Sequence, residues 1–498
     1  MKLLALRLCA HDSNISYFDG QTLHYYKSER FYQIKHHAYD DIFLWQEEIK
    51  KIWNVSLEDI DEIAIVIDSW NYQLPKVTET FFPAIEYNYL LTKCKVWRVN
   101  HHFAHSISTW MLHNKEPNVS IVIDGFGDLD KTWSVFKNGR QIDEGNRLQN
   151  GSIGIGLIQA GQQLGVTSNH IEDIPGKAMG LQSYGKIDYG FLDYLQTYNI
   201  YNNKEVFNSE HWNKYKQDPL LAKLTYLDWI KTIHYKTGQL LVDFFKLFAK
   251  EDDIISYTGG VAQNVIWNTE LKKHFKNLII PPHCADEGLS LGAIEWLRRK
   301  NNLPKFNLPG FPFLQKDQSP PQPPSIETIK KSAQHLADGK IVAWYQGHGE
   351  VGPRALGNRS ILMNPTISNG KEKINKIKKR EQYRPFGASI LEEFKEEYFN
   401  FEYNNPYMLY VSKLKEKYSM ECITHVDGTC RVQTVPSNDT SFRLLLEEFY
   451  KLTGCPVLLN TSLNLAGKPI AGYIDNAKEL YYNSNLDCLV VGNSLYEK

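Results

Sequence analysis

The sequence predicts an α/β protein of two domains, the first of them built from a duplicated unit. An apolar strand at 3–9 leads into a polar loop and then a hairpin at Asp19-Gly20. A second apolar strand at 119–124 leads into an acidic, glycine-rich loop and a hairpin at Asn138-Gly139. Asp-Gly and Asn-Gly are the dipeptides that two-residue hairpin turns favour. A strand, a polar loop and a hairpin that occur twice favour a two-lobed actin-like (ribonuclease-H-like, ASKHA) fold.

Prolines divide the chain into its domains. Seven of them fall between residues 303 and 325, where they stop helices and strands alike. We therefore expect a first domain at 1–302, a linker at 303–325 and a second α/β domain at 326–498. Further periodic runs predict helices at 41–53, 228–250 and 326–337, and strands at 62–67 and 341–345.

Composition excludes several classes of protein. The 498 residues carry a net charge of −1, so no sequence-independent binding of nucleic acid is expected. The apolar start is too short for a signal peptide, and no run of membrane-spanning length follows. The seven cysteines are scattered and form no C-x-x-C pair, which indicates reduced thiols. We expect a cytoplasmic protein without a membrane partner.

A histidine-rich stretch at 100–105 is the first candidate metal site. His101 and His105 are four residues apart on a predicted helix, so both side chains lie on one face. Asp124, after an apolar strand, and Asp286, before a helix, are further candidate ligands. The alternatives are a helix with one core and one surface histidine, and an Asp-Gly pair that only ends a strand.

Two glycine-rich stretches in the first domain are candidates for anion binding. Residues 175–181, with Tyr184-Gly185, predict a loop whose N–H groups approach an anion. At 254–264 a strand runs into Gly259-Gly260 and then into a helix that starts near Asn264. A strand, two glycines and a helix start are typical of a nucleotide-phosphate cradle.

Arginines beside glycine, proline and apolar residues mark the second domain. Residues 347–360 contain four glycines and two arginines. An unpaired buried charge costs several kcal/mol, so such arginines need anions, and the guanidinium fork suits phosphate oxygens. The lysine-rich run at 371–379 is better explained as a solvated surface. The arginines expected to need anions are Arg354, Arg359, Arg380, Arg384 and Arg431.

Nine strings occur in one order along nearly the whole chain. They are His11-Asp12-Ser13, Glu29-Arg30 and the segments 101–105, 176–181, 259–264, 352–360, 378–386, 425–433 and 460–464. Together they resemble the NodU/CmcH family of ATP-dependent O-carbamoyltransferases. The chain departs from that family in two places: it is shorter around 187–227, and Phe313-Leu314-Gln315-Lys316 lacks a glycine-proline pair in the linker.

The resemblance implies a fold and an activity for each domain. The first domain would be similar to the universal tRNA threonylcarbamoyl-transferase, of actin-like fold, and the second to YrdC, an α/β fold that makes carbamoyl-type adenylates. Carbamoyl phosphate and ATP, with Mg²⁺, would form carbamoyl-adenylate in the second domain. The carbamoyl group would then pass to an acceptor hydroxyl at a metal site in the first.

The resemblance also implies a role for each matching residue. His11 could equally be a structural histidine at a strand end, and the metal would be Fe²⁺, the family's usual ion, or Zn²⁺ or Mn²⁺. The metal ligands would be His101, His105, Asp124 and Asp286. Catalytic residues would be His11, Lys378, Arg380 and Ser462. Nucleotide-binding residues would be Gly259, Gly260, Asn264, Lys177 and Asn464. The residues for carbamoyl phosphate would be Arg354, Arg359, Arg384, His425 and Arg431.

The expected acceptor is a natural product, a sugar, or a hydroxymethyl-pyrimidine nucleotide or DNA, and a homodimer is one expected assembly. Three other classes fit the sequence less well. A tRNA threonylcarbamoyl-transferase would lack the adenylate-forming half. A zinc peptidase would carry a glutamate after its first histidine, but position 102 is histidine. A non-catalytic actin-like ATP-binding protein would not need the arginines.

Overall fold

The computed structural model describes residues 1–8, 11–39, 44–67, 82–87, 93–112, 116–207, 224–316, 320–400, 402–438 and 440–498. The chain divides into two compact units: unit 1 is residues 1–29 with 36–311, and unit 2 is residues 30–35 with 312–498. The predicted domain limits at 302 and 326 stay a prediction. The end of the first predicted strand at Cys9, the helix start at 41–43 and part of the shortened region, 208–223, lie outside the described residues.

The first sheet of unit 1 begins with an antiparallel meander and continues with parallel strands. Across the sheet the described strands follow the order β3-β2-β1-β4-β6-β5. β4 and β6 run parallel to β1, while β2 and β3 form the meander with it. β1 and β4 are buried along their length, as strands covered on both faces should be. The strands are β1 (Leu3–Leu8), β2 (Asn14–Phe18), β3 (Leu23–Lys27), β4 (Glu62–Ile67), β5 (Ala84–Glu86) and β6 (Lys95–Val99).

The second sheet of unit 1 repeats this topology. Its strands are β7 (Val119–Ile123), β8 (Lys131–Lys137), β9 (Arg140–Asn146), β10 (Ile255–Thr258) and β11 (Leu278–Ile279). Their order is β11-β10-β7-β8-β9, with β7 to β9 antiparallel and β10 and β11 parallel to β7. In both sheets the first strand of a meander has parallel neighbours on its other side. This duplication confirms the predicted two-lobed actin-like fold.

Helix α10 packs on α3 and on strands β1 and β4. Among the described residues, none of the helices combines the length and apolar character needed to cross a bilayer. The helices that begin before residue 311 are α1 (Ser28–Tyr32), α2 (Leu44–Trp53), α3 (His101–Ile107), α4 (Arg147–Asn150), α5 (Ile153–Gln163), α6 (Ile174–Leu181), α7 (Tyr189–Tyr194), α8 (Tyr226–Phe248), α9 (Val265–His274) and α10 (Leu289–Lys300).

The prediction of a glycine-rich loop at 175–181 is wrong, because this segment is helix α6. Pro175 lies in its first turn, where a helix does not need the missing N–H. The helix is held by packing: a Cβ on Gly161 of α5 would lie 2.3 Å from Ile174 Cγ2. Tertiary contact therefore decides the conformation of a segment whose composition suggested a turn.

Unit 2 is built on one mixed sheet whose described strands follow the order β15-β16-β14-β17-β13-β12-β18-β19. Helices α11 and α14 pack against each other, and the likeness to YrdC stays a prediction. The strands are β12 (Val342–Tyr345), β13 (Arg359–Met363), β14 (Gly387–Leu391), β15 (Val411–Lys413), β16 (Thr429–Val435), β17 (Val457–Ser462), β18 (Cys488–Val491) and β19 (Ser494–Glu497). The helices are α11 (Ile326–Ala337), α12 (Gly370–Lys378), α13 (Lys395–Tyr398), α14 (Ser441–Thr453) and α15 (Ile474–Tyr482).

Candidate metal and anion sites

Helix α3 presents two buried histidines on one face. Its start is fixed by Asn100, whose side chain accepts a hydrogen bond from the N–H of Phe103 at 3.0 Å. Asp128 adds a second bond, because its Oδ2 accepts from the N–H of His101 at 2.8 Å. The rings of His101 and His105 then lie 4.9 Å apart, centre to centre. The predicted spacing of four residues therefore places both rings side by side.

Asp124 and Asp286 join these histidines to form what we call the ligand group. Asp124 Oδ2 lies 3.3 Å from Nε2 of His101 and 3.1 Å from Nε2 of His105. Asp286 Oδ1 lies 3.6 Å and 3.4 Å from the same two nitrogens. One ligand atom from each of the four residues lies within 4.8 Å of the others. The structure thus brings all four predicted metal ligands together, and all four are buried.

The carboxylate of Asp124 is oriented by backbone N–H groups. Its Oδ1 accepts from Gly125 at 2.7 Å and from Gly260 at 3.1 Å, which leaves Oδ2 for the histidines. Gly259 makes this approach possible, since its φ is +94° and a Cβ there would lie 2.2 Å from the carbonyl oxygen of Ile123. Only glycine fits that position.

Asp286 is held by a buried arginine. Arg7 Nη2 donates to its Oδ2 at 2.9 Å, and both side chains are at most 5% exposed. Burial opposes ionisation of Asp286, but His101 and Arg7 outweigh it and lower its pKa to about 2. For Asp124, too, burial opposes ionisation, and the bonds from His101 and His105 lower its pKa well below the usual range. Both ligands are therefore carboxylates at neutral pH.

Two imidazoles and two carboxylates that converge in one buried place fit a divalent transition metal. Nitrogen and oxygen donors of this kind bind Fe²⁺, Zn²⁺ or Mn²⁺. The neighbouring His102 lies outside the set, because its Nδ1 is 2.7 Å from Ser134 Oγ. The ligand group therefore fits the predicted divalent ion, and its donor atoms suit Fe²⁺, Zn²⁺ and Mn²⁺ alike.

His11 lies beside the ligand group, not within it. Its Nε2 is 3.9 Å from Asp286 Oδ2, and its Nδ1 is 2.9 Å from Asp12 Oδ2. The side chain is 44% exposed, so solvent and solutes reach it. Burial lowers its pKa, but Asp286 and Asp12 outweigh that effect and raise it to about 9. The ring is thus placed to exchange a proton at the edge of the ligand group.

Sequence reasoning assigned no role to the residues that surround His11. Asp12 Oδ2 also accepts from His36 Nδ1 at 2.9 Å, and Asp12 Oδ1 lies 2.8 Å from Lys27 Nζ. His36 Nε2 in turn lies 3.5 Å from Asp173 Oδ1. The string His11-Asp12-Ser13 was the available signal for Asp12. Lys27 and His36 showed no such signal in the sequence, since they approach Asp12 only in the folded chain.

The residues predicted to bind nucleotide in unit 1 have structural partners. Gly259 and Gly260 hold Asp124, as described above. Asn264 caps α9 through its Oδ1 and donates from Nδ2 to His234 Nε2 at 2.9 Å. Lys177 on α6 donates to the carbonyl oxygen of Thr167 at 2.8 Å. A nucleotide-binding role for these four residues stays a prediction.

Unit 2 brings the K-x-R and S-x-N strings together. Lys378 ends α12, and its Nζ donates to Ser462 O at 2.5 Å, Ser462 Oγ at 3.0 Å and Asn464 Oδ1 at 2.6 Å. The lysine is only 3% exposed. Burial, with Arg380 and Arg384, lowers its pKa well below the usual range. Hydrogen bonds to Ser462 of β17 and to Asn464 in the turn that follows therefore hold a lysine whose charge its surroundings oppose.

Several arginines of unit 2 oppose one another electrostatically. Burial, together with Arg354, Arg380 and Arg384, lowers the pKa of Arg431 well below the usual range. Burial and Arg384 also lower the pKa of Arg380, to about 9, although Glu381 opposes this. We call Lys378, Arg354, Arg380, Arg384 and Arg431 the cation cluster. Lys378 is buried and the four arginines are half-buried, and cations that destabilise each other's charge in such surroundings favour a bound anion.

Arg359 and His425 make different contacts. Arg359 Nη2 donates to Gly347 O at 2.8 Å, its Nη1 donates to Gln346 O, and its guanidinium lies 3.6 Å from the ring centre of Tyr345. His425 Nε2 lies 3.2 Å from Tyr383 O. Arg359 thus holds the loop that follows β12, and a phosphate-binding role for either residue stays a prediction.

The duplicated sheets and the ligand group define an actin-like protein with a buried candidate metal site. The family described as Carbamoyltransferase N-terminus matches residues 84–294, and that described as Carbamoyltransferase C-terminus matches residues 333–498. The chain belongs to the carbamoyltransferase family, and it is an enzyme of the class that transfers carbamoyl groups. The resemblance to NodU/CmcH proteins is confirmed.

Three curated relatives illustrate the membership. The chain is 29% identical to nodulation protein NolNO of Sinorhizobium fredii, over 80% of this chain and 64% of that protein. It is 31% identical to uncharacterized protein MJ1051 of Methanocaldococcus jannaschii, over 80% and 82%. It is 34% identical to 3'-hydroxymethylcephem-O-carbamoyltransferase of Amycolatopsis lactamdurans, over 48% of each chain. The chain therefore spans less than two thirds of the first and third relatives.

Proposed function

We propose that the protein is an O-carbamoyltransferase that consumes carbamoyl phosphate and ATP, forms carbamoyl-adenylate in unit 2 and transfers the carbamoyl group to an acceptor hydroxyl in unit 1. The observation that carries the proposal is the cation cluster of unit 2. Its positive charges repel one another and so favour a bound anion, and both substrates are phosphate anhydrides. Membership of the carbamoyltransferase family supplies the group that is transferred.

The chemistry in unit 2 consists of two steps, the hydrolysis of carbamoyl phosphate and the adenylation of carbamate. Water cleaves carbamoyl phosphate into carbamate and phosphate. A carbamate oxygen then attacks the α-phosphorus of ATP, the bond to the β-phosphate breaks, and carbamoyl-adenylate and pyrophosphate form. Lys378 and Arg380 neutralise the charge that develops on the phosphates, while Ser462 and Asn464 hold the Lys378 ammonium in place. Mg²⁺ accompanies ATP.

The chemistry in unit 1 is acyl transfer. The acceptor hydroxyl attacks the carbamoyl carbon, AMP leaves, and the hydroxyl proton passes to Nε2 of His11 in its neutral form. A divalent metal held by His101, His105, Asp124 and Asp286 would supply Lewis-acid polarisation. Gly259, Gly260, Asn264 and Lys177 are proposed to accommodate the nucleotide part of the intermediate. His11 is suited to its role because it is exposed at the edge of the ligand group.

The acceptor is proposed to be a small molecule with a free hydroxyl: a natural product, a sugar or a hydroxymethyl-pyrimidine nucleotide. The relatives include nodulation proteins and enzymes named for 3'-hydroxymethylcephem. The net charge of −1 does not favour a long nucleic-acid duplex. A homodimer remains part of the proposal.

The experiment separates the two reactions. Pyrophosphate release is measured with ATP and carbamoyl phosphate, and product formation is measured as the mass gain of one carbamoyl group on a panel of acceptors: 3'-hydroxymethylcephem, an N-acetylglucosamine oligosaccharide and 5-hydroxymethyl-pyrimidine nucleotides. In His101→Ala, pyrophosphate release persists and product formation stops. In Lys378→Ala and Ser462→Ala, pyrophosphate release itself stops. The two-site scheme is wrong if all three variants behave alike.

A further inference from the structure

We propose that Asp12 is a positioning residue, which fixes the ring of His11 with a proton on Nδ1 and directs Nε2 toward the ligand group. The inference rests on the proposed function, in which Nε2 of His11 accepts the proton of the acceptor hydroxyl. It concerns the tautomer and orientation of the ring, and it assigns to Asp12 a role that its place in the sequence does not reveal.

The hydrogen bonds of Asp12 define the tautomer. Its Oδ2 lies 2.9 Å from Nδ1 of His11 and 2.9 Å from Nδ1 of His36. An ionised carboxylate only accepts, so each imidazole must donate an N–H from Nδ1. When Nδ1 of a neutral imidazole carries the proton, Nε2 offers a lone pair. Asp12 therefore makes Nε2 the nitrogen that His11 deprotonates first, and hence the proton-accepting atom of the neutral ring.

The same contact sets the direction of the ring. Nδ1 and Nε2 lie on different sides of the imidazole, so holding one nitrogen aims the other. With Nδ1 on Asp12, Nε2 of His11 lies 3.9 Å from Oδ2 of Asp286, at the edge of the ligand group. An exposed histidine without such a partner would sample several rotamers.

Asp12 is itself fixed by its surroundings. Its side chain is 10% exposed, and its Oδ1 lies 2.8 Å from the buried Nζ of Lys27. Asn14 Nδ2 donates to the backbone oxygen of Asp12 at 2.6 Å. The backbone of Asp12 has a φ of +61°, a left-handed conformation that L-residues rarely adopt. A strained residue whose carboxylate bonds two histidines fits a positioning role, because such strain concentrates where structure serves function.

A rival interpretation is a second metal site. One atom each from His11, Asp12 and His36 lies within 4.8 Å of the others, so these three could hold an ion themselves. The ammonium of Lys27, 2.8 Å from the other oxygen of Asp12, opposes a further cation there. The experiment must therefore report metal content as well as the state of the ring.

The test is a nitrogen NMR spectrum of the full chain, labelled with ¹⁵N-histidine and loaded with Zn²⁺, in which His11 is assigned by the signals missing from His11→Asn. The spectrum is recorded at pH 10, above the His11 pKa of about 9, so that the ring is neutral, and in the wild type its single proton lies on Nδ1. In Asp12→Asn the side-chain carbonyl is expected to face the Lys27 ammonium, so the amide group donates to Nδ1 and the proton of the neutral ring moves to Nε2. Zinc content stays the same, and carbamoyl transfer falls about 100-fold or more, as expected for loss of a general base.

Asp19→Asn is the matched control. Asp19 Oδ2 lies 2.9 Å from His24 Nε2, the same separation as in the proposed pair, on the turn between β2 and β3. This variant leaves the His11 signals, zinc content and transfer unchanged.

Three results overturn the inference: an unprotonated Nδ1 in the wild type, an unchanged Nδ1 in Asp12→Asn, or loss of zinc in Asp12→Asn, which would make Asp12 a metal ligand. The wild-type spectrum decides alone if Asp12→Asn does not fold. A failure of the proposed function looks different. The tautomer then changes in Asp12→Asn while carbamoyl transfer is unaffected, and the positioning by Asp12 stands.

Discussion

Gly292 on α10 lies directly against Ala104 on α3, so closely that a Cβ at position 292 would be 1.9 Å from the carbonyl oxygen of Ala104. Ala104 lies between His101 and His105, and α10 begins just after Asp286. This contact between two backbones therefore sets the spacing between the histidine helix and the loop that supplies a carboxylate.

We expect Gly292→Ala to disrupt the ligand group. The added methyl group meets backbone, which cannot rotate away, so α3 and α10 must separate. Overpacking of this kind costs about 1–3 kcal/mol of unfolding free energy, and the ligand atoms no longer converge. The measurements are the zinc or iron content of the purified protein and its unfolding in urea.

Gly176→Ala is the control for that substitution. Gly176 is also helical, on α6, but nothing lies within 4 Å of a Cβ built there. This variant keeps its metal content and gains about 0.5–1 kcal/mol, the usual advantage of alanine over glycine in a helix. Full metal content in Gly292→Ala would contradict the importance of the close contact.

Loss of Arg7 should weaken metal binding without removing a ligand. Arg7 Nη2 holds Asp286 Oδ2 at 2.9 Å, so Arg7→Met leaves that carboxylate free to turn. Partners that orient metal ligands typically contribute about 10–100-fold in affinity. We expect a decrease of that size, measured by competition with a chelator.

Arg443→Met provides the comparison for Arg7→Met. Arg443 is also a buried arginine paired with carboxylates, those of Glu393 and Glu447, but it belongs to unit 2. Its loss should reduce stability and leave metal affinity unchanged. Equal effects of the two substitutions on metal affinity would mean that Arg7 acts only through general stability.

The ligand group could be predicted from sequence because each member follows a local rule. His101 and His105 have helical spacing, and Asp124 lies where an apolar strand ends in glycines. The environment of His11 could not be predicted in this way. Lys27 and His36 reach Asp12 through the folding of β3 and the turn after α1, and no local pattern shows that Asp12 adopts a left-handed backbone.

The arginines of unit 2 also show which contacts could be predicted from sequence and which depended on the fold. Composition placed Arg359 with the other arginines, as residues that needed anions. In the fold, Arg359 pairs with Tyr345 across β12 and β13, which brings its guanidinium onto that ring and onto the carbonyls of Gln346 and Gly347. The sequence predicted that Arg359 needs oxygen acceptors, but which oxygens it contacts depended on strand register.

Anions should stabilise unit 2 through the cation cluster. Arg431 lies among Arg354, Arg380 and Arg384, whose charges oppose its own. Pyrophosphate, used as the probe, should therefore raise the melting temperature of the wild type, and high salt should reduce the effect.

Arg431→Met should raise the stability of the protein without pyrophosphate and reduce the stabilisation that pyrophosphate provides. Removing one half-buried charge relieves the repulsion, so the variant is more stable than the wild type without pyrophosphate. It gains less from pyrophosphate, because one anion partner is missing. Differential scanning calorimetry measures both effects, and Lys451→Met, an exposed lysine paired with Glu448, is the control. A lower stability of Arg431→Met without pyrophosphate would show that no net repulsion exists.

Two buried histidines should make unit 1 less stable in mild acid. Burial and Lys231 lower the pKa of His234 to about 3, and burial lowers that of His283 to about 4. In the unfolded chain each titrates near the ordinary value of about 6.5. Between these values the unfolded chain binds more protons, so the free energy of unfolding falls as the pH falls, whereas above about pH 6.5 these groups contribute no slope.

For His234 the free energy of unfolding is expected to fall by about 2 kcal/mol between about pH 6.5 and pH 5. His234→Gln should remove that part of the slope while keeping an acceptor for Asn264 Nδ2, which now donates to His234 Nε2 at 2.9 Å. Urea unfolding at the two pH values, followed by tryptophan fluorescence, measures it, since the His234 ring stacks on Trp267 at 4.5 Å. An equal slope in His234→Gln and the wild type would mean that His234 is protonated in the folded protein, and its bond from Asn264 would then have to be reassigned.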